Sequence, residues 1–178
     1  MIEILKFDEV KKEEIFARVA EKVDVSDIVA DILENVRKNG DKAVLEYCER
    51  FDGAKLSTLE VTSDEIDEAV ASVEPRFIEI LENAAANIRE FHEKQIRTSF
   101  VINNKEGIVT GQKVTPVEKV GLYVPGGTAA YPSTVLMDSI PAKLAGVSEM
   151  CIVTPPDKNG KVNPVILAAA KIAGVDRV

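Results

Sequence analysis

Residues 120–135 read VGLYVPGGTAAYPSTV. A continuous apolar run ends in Pro125-Gly126-Gly127, a loop of small residues follows, and Ser133 and Thr134 open a new apolar segment. That order predicts a buried strand entering a helix through a glycine turn. In a parallel sheet, such a turn at the carboxyl end of a strand is where ligands tend to sit. Two glycines let the backbone come close to a phosphate or a sugar. Free N–H groups at the start of the next helix favour an anion. The competing explanation is architectural, because any tight strand-to-helix turn wants glycine. The dinucleotide pattern G-x-G-x-x-G is absent.

Downstream the alternation continues. Strands are expected at Val120–Val124 and Met150–Val153, and helices at Ser133–Ala145 and Pro164–Ala173. Asn163 is placed to cap the last helix, Pro164 to begin it and Gly174 to stop it. Pro141 is expected to kink the helix it interrupts. Strands alternating with helices point to an α/β fold with a parallel sheet and right-handed crossovers. Val175-Asp176-Arg177-Val178 looks like a third strand beginning. A two-strand parallel unit cannot cover its own edges and faces. The unit therefore reads as incomplete, with Val178 a truncation point.

Upstream, Phe100–Ile102 and Ile108–Val117 alternate or are β-branched, with Gly107 and Gly111 as turn or bulge points. They predict a hairpin, and Pro116 argues against a central, continuous strand. A domain boundary falls between Val117 and Val120. The first hundred residues read mainly as helix. Ile28, Val29, Ile32, Leu33 and Val36 form one stripe, with Ser26 as its cap and Asn39-Gly40 as its end. Val44, Leu45, Cys48 and Phe51 form another, closed near Gly53. A short strand is expected at Leu59–Val61. Thr62 and Glu65 have capping-box spacing, with Val61 and Ile66 as the hydrophobic staple. Pro75 suits the first turn of a long helix whose inward face is read as Phe77, Ile80, Leu81, Ala84, Ile88, Phe91 and Gln95.

Composition narrows the function classes. The chain has 178 residues, 46% of them hydrophobic, and a net charge of -8. That acidity argues against nucleic acid or an anionic membrane as partner. Cys48 and Cys151 form no C-x-x-C and read as buried, reduced thiols of a cytoplasmic protein. No apolar stretch approaches membrane-spanning length.

The chemical inventory is short. His92 is the one histidine, in FHEKQ, and reads as a structural residue bonded to a neighbour rather than a catalytic one. One histidine and two distant cysteines do not make a metal site. The pairs Glu13 and Glu14, Asp64 and Glu65, Asp67 and Glu68 match solvated helix faces. Asp157 stands where a dinucleotide fold places a ribose-binding acid, but Asp-Lys-Asn-Gly is also an ordinary turn. Tyr123 sits at the strand end, where an aromatic can flank a planar ligand. Its alternative is a core tyrosine with its hydroxyl at the surface.

From VGLYVPGG through VTPP to VDRV, and again at NIREFHEKQ, the sequence resembles the histidinol dehydrogenases. The resemblance covers essentially the whole chain. It implies a zinc-dependent homodimer that oxidises L-histidinol to L-histidine in two NAD-linked steps, late in histidine biosynthesis. It implies two incomplete Rossmann-like domains, so that the fold is a helical N-terminal region plus an incomplete Rossmann-like βαβ unit. Residues 1–22 would be an N-terminal arm, 23–118 the first part of domain one, with strands at 99–117, and 119–178 the start of the second domain. Among cofactor contacts it implies Tyr123, with Gly126 and Gly127 in the same motif. The zinc ligands and the catalytic glutamate–histidine pair of the family fall beyond Val178, so no residue here is assigned as catalytic or metal-binding. The fragment alone is therefore expected to be inactive and to hold neither NAD nor zinc tightly. Two other readings stand beside this one: a related zinc and NAD dehydrogenase of another small alcohol, such as a sulfonated propanediol, and a non-catalytic oligomerising domain.

Overall fold

The computed structural model describes residues 6, 7, 9–16, 24–126 and 129–178. Residues up to Gly40 and residues 41–178 form two compact units. In the first unit, α1 spans Lys12–Ile15 and α2 spans Ser26–Asn39. Ser26 is not the cap of α2 but its first residue. The N-cap is Val25, with no side-chain cap, and the Ser26 N–H donates instead to the Asp24 carboxylate at 3.0 Å. The apolar stripe of α2 exists, yet Ile28, Val29 and Leu33 are exposed.

The second unit begins with α3, Asp41–Tyr47, which runs into a π-helical turn, Cys48–Asp52. Gly53 closes it in the left-handed conformation, where a Cβ would be strained. The expected strand at Leu59–Val61 does not form. Val61 N–H donates to the Val178 carbonyl at 2.9 Å, a single bond in place of the alternating bonds a ladder needs. The Thr62–Glu65 capping box does form and starts α4, Ser63–Ser72. Pro75 is the first residue of α5, Pro75–Glu93. Leu81 and Ala85 are buried at the centre of its inward face. Ile80 and Phe91, assigned to that face, are instead exposed. They are eleven residues apart, about three turns, and so share one line on the flank of the helix.

The hairpin pairs β1, Phe100–Lys105, with β2, Ile108–Gln112. Gly107 takes a left-handed φ in the turn. A Cβ on Gly111 would come 2.5 Å from the Phe100 carbonyl oxygen, so only glycine fits that crossing. The second strand stops at Gln112, earlier than Val117, and Val114 N–H is taken instead by the Ser99 hydroxyl.

The remaining elements follow the expected order: β3 Lys119–Tyr123, α6 Pro132–Leu144, β4 Glu149–Val153 and α7 Pro164–Ala173. Asn163 caps α7 through its side chain and Gly174 ends it. β3 and β4 are parallel. Arg177 continues the sheet on the far side of β4: its N–H donates to Met150 and its carbonyl accepts from Ile152. The expected third strand is thus begun. Around it, Arg177 makes a bidentate pair with Glu60, and Asp176 accepts the Met150 N–H at 2.8 Å.

α7 packs against α4, α5 and α6. Its buried residues, Ile166, Leu167, Ala168, Ala169, Ala170 and Ala173, wrap most of the helix and leave the Lys171 side exposed. A helix apolar around most of its surface belongs in a core. Leu122 and Ile152 from one sheet face join this core, together with Leu136 and Ile140 of α6. The opposite sheet face carries Gly121, Tyr123 and Val153 and is exposed. Cys48 and Cys151 are free thiols, half-buried rather than buried.

Candidate functional site

The site of interest lies where β3 and β4 end side by side. The two strands are in register at Tyr123 and Val153, and the pairing runs one residue further, with Val124 N–H donating to the Val153 carbonyl at 2.9 Å. The Val124 side chain is fully buried and pins the start of the loop. Tyr123 and Val153 share the open face of the sheet, 66% and 54% exposed. Tyr123 is therefore not the core residue of the alternative reading. Its ring and phenol stand free at the strand end, beside an apolar neighbour.

Gly126 lies outside the left-handed φ region, so backbone freedom is not what its position requires. Space is. A Cβ there would lie 2.9 Å from Cγ and 3.1 Å from Cδ of Pro155. Pro155 belongs to Thr154-Pro155-Pro156, the segment that leaves β4. The two strand-end loops thus touch, ring against glycine backbone. Sequence reasoning passed over Pro155, although a proline pair directly after a strand was there to be seen. Gly127, the second glycine of the motif, lies outside the described residues.

The start of α6 offers less to an anion than expected. Tyr131 is its N-cap, without a side-chain cap. Pro132 has no N–H, and Thr134 and Val135 donate to the Tyr131 carbonyl. Of the four N–H positions that open the helix, Tyr131 to Thr134, two are thereby unavailable to an anion: Pro132, which has no N–H, and Thr134, whose N–H is bonded.

Asp157 is occupied by its own loop. Its Oδ1 accepts the N–H groups of Asn159 at 2.9 Å and Lys161 at 2.8 Å. The Lys161 N–H, first among these bonds, holds its carboxyl below the ordinary range. The turn expected at Asp157 does form, with one carboxylate oxygen engaged by the loop's own N–H groups. His92 is half-buried, with Nδ1 2.7 Å from Gln95 Oε1 and its ring edge-on to Phe91. That is the structural role expected of it. The helix carboxylates do more than face water. Glu65 pairs with Lys161 and Asp67 with Lys171, which joins α4 to α7 and to the loop before it. The Lys161 ammonium, and then the Thr62 N–H, draw the Glu65 carboxyl downward.

Among the described residues, no three His, Cys, Asp or Glu side chains converge as a metal site would require. Two shallow depressions occur elsewhere. One of about 440 Å³ is lined by Asn87, Glu90, Phe91, Lys94 and Gln95, and one of about 370 Å³ by residues of α4, α5 and α7. Neither borders Tyr123 or Gly126. No helix among the described residues is long and apolar enough to cross a membrane.

Comparison with known proteins gives this strand-end its context. The family model for histidinol dehydrogenase matches residues 17–178. The histidinol dehydrogenase of Clostridium acetobutylicum is 50% identical over 158 residues, 89% of this chain and 37% of its own length. That of Chlorobaculum tepidum is 54% identical over 155 residues, 87% of this chain and 36% of its own. The crystal structure of histidinol dehydrogenase from Elizabethkingia anophelis superposes with a TM-score of 0.84 at 39% identity, covering 88% of this chain and 36% of that one. The chain spans little more than a third of the length of these relatives. Neither the propanediol reading nor the non-catalytic one is favoured by these similarities. With the family model matching residues 17–178 and the fold shared with a solved member, the chain belongs to the histidinol dehydrogenase family.

Proposed function

We propose that residues 1–178 form the amino-terminal part of a histidinol dehydrogenase, which oxidises L-histidinol to L-histidine in two NAD-linked steps. What supports this reading most is the family match, which runs through nearly the whole chain and includes the GLYVPGG strand end. In this reading residues 1–22 are an arm, 23–118 open the first domain and 119–178 open the cofactor-side domain. The protein works in the cytoplasm as a homodimer. Its free thiols suit a reducing compartment.

The residues present fit one wall of an NAD site and not a zinc site. NAD, when bound, accepts hydride from the alcohol and then from the aldehyde. Tyr123 would flank one of its rings from the open sheet face, with Val153 as the apolar neighbour. The strand-end loop with Gly126 and Gly127 would border it. Zinc has no ligand set among the described residues, so no catalytic step is assigned to this chain. A single wall offers little buried area, and the chain alone should bind NAD weakly. Its bare sheet face and exposed hairpin should also make it self-associate, which light scattering at high concentration would show.

The test is direct. The complete gene product, supplied with zinc, L-histidinol and NAD, should form histidine and NADH. A preparation that ignores histidinol but oxidises a sulfonated propanediol would replace this reading with the related-alcohol one.

A further inference from the structure

We infer that Pro155 is a positioning residue for the cofactor loop, and that Gly126 serves the NAD site through Pro155 rather than by touching NAD. This rests on the reading of residues 119–178 as the cofactor-side domain. The two-glycine turn invites the idea that both glycines admit the ligand. The geometry points elsewhere for Gly126. The volume its missing Cβ would fill is already occupied by Cγ and Cδ of Pro155 at 2.9 and 3.1 Å, with the Pro155 carbonyl oxygen at 3.4 Å. A proline ring is fused to its own backbone and cannot swing away as the end of a long side chain would. Pro155 is half-buried and follows Val153, whose carbonyl holds the Val124 N–H. The loop after β3 is therefore gripped twice by the end of β4: by a hydrogen bond at Val124 and by the ring at Gly126. Tyr123 is the residue immediately before the first grip. Anything that pushes Gly126 off Pro155 tilts the loop against the strand end that presents the tyrosine.

The two roles for Gly126 make opposite predictions in a double-mutant cycle. Gly126→Ala introduces the clash. Pro155→Ala removes Cγ and Cδ and leaves the carbonyl at an ordinary contact distance. In the complete gene product, with histidinol saturating, Gly126→Ala should raise KM for NAD roughly tenfold or more, with a smaller change in kcat. Pro155→Ala alone should raise it a few-fold, on the order of 3. The double variant should return to the Pro155→Ala value rather than multiply the two losses. Thermal midpoints measured alongside should follow the same rescue. If Gly126→Ala fails to fold, recovery of both folding and NAD affinity in the double variant still supports the inference.

Three results would overturn it: an unchanged KM for NAD in Gly126→Ala, a double variant as impaired as Gly126→Ala, or a double variant that also fails to fold. The second result would place Gly126 directly against the cofactor. A wild-type protein that oxidises no histidinol would sink the functional reading instead, and the thermal midpoints alone would still report whether Pro155 and Gly126 are sterically coupled.

Discussion

α7 and the β1–β2 hairpin are both short and both open on apolar runs, alanine-rich in one and β-branched in the other, yet they end in opposite environments. α7 has six buried residues in a ten-residue helix. Every residue of the two hairpin strands is exposed, and among their large apolar residues Val101 and Val109 are the most so, at 73% and 67%. The same contrast divides the parallel sheet. Leu122 and Ile152 face the α6–α7 core, while Tyr123 and Val153 face nothing. An apolar pattern thus says that a surface needs cover, not that these residues supply it. The covered half holds the buried apolar core of this chain, and the bare half leaves apolar residues exposed.

The largest effects should fall in the covered half. Leu136→Ala leaves a cavity in a fully buried site and should lower unfolding stability by about 3 kcal/mol in a urea titration. A loss under about 1 kcal/mol would mean that α6 is not part of a close-packed core. Next is the capping box. Thr62→Ala leaves the Glu65 N–H without its acceptor and should cost about 1 kcal/mol by the same titration.

The ion pairs that stitch the covered half should show in pH dependence. Arg177 lowers the Glu60 carboxyl, and Lys161 lowers that of Glu65. A carboxyl depressed on folding contributes stability above its unfolded value of 4.5, and loses that contribution as pH falls through its lower folded value. The thermal midpoint should drop on acidification through that window, and less so in Glu60→Gln. An equal drop in that variant would leave the pair without influence.

Smaller still is Ser139→Ala. The Ser139 hydroxyl is fully buried in α6 with no hydrogen-bond partner among the described residues, so removing it should be neutral or slightly stabilising. Clear destabilisation would reveal a partner. Smallest are Val101→Thr and Val109→Thr in the bare hairpin, expected to stay within about 0.5 kcal/mol. A core-sized loss there would erase the contrast between the two regions.

Legibility in the sequence followed the same divide between local and distant. The Asn163 cap, Pro164 start and Gly174 stop of α7 were readable because each acts within a few residues of itself. So were the Thr62–Glu65 box and the Gly107 turn. The inward face of α5 was read too wide on one flank, since Ile80 and Phe91 are apolar without being central. Long-range partnerships were not readable at all. Nothing in local spacing pairs Glu60 with Arg177, or Asp67 with Lys171. Gly126 announced a turn, but its true constraint is a proline on the neighbouring strand end. Tyr123 was located by its place at the strand end ahead of the glycine pair and by the family resemblance, and its exposure follows from a sheet face that these residues leave bare.

The most direct measurement is a paired assay of histidinol-dependent NADH formation, with purified residues 1–178 in one cell and the complete gene product in the other, both supplied with zinc. Turnover only in the complete protein is the predicted result. Turnover by residues 1–178 alone, or its absence from both, would contradict the proposal that this chain is the amino-terminal part of a histidinol dehydrogenase whose reacting groups lie elsewhere.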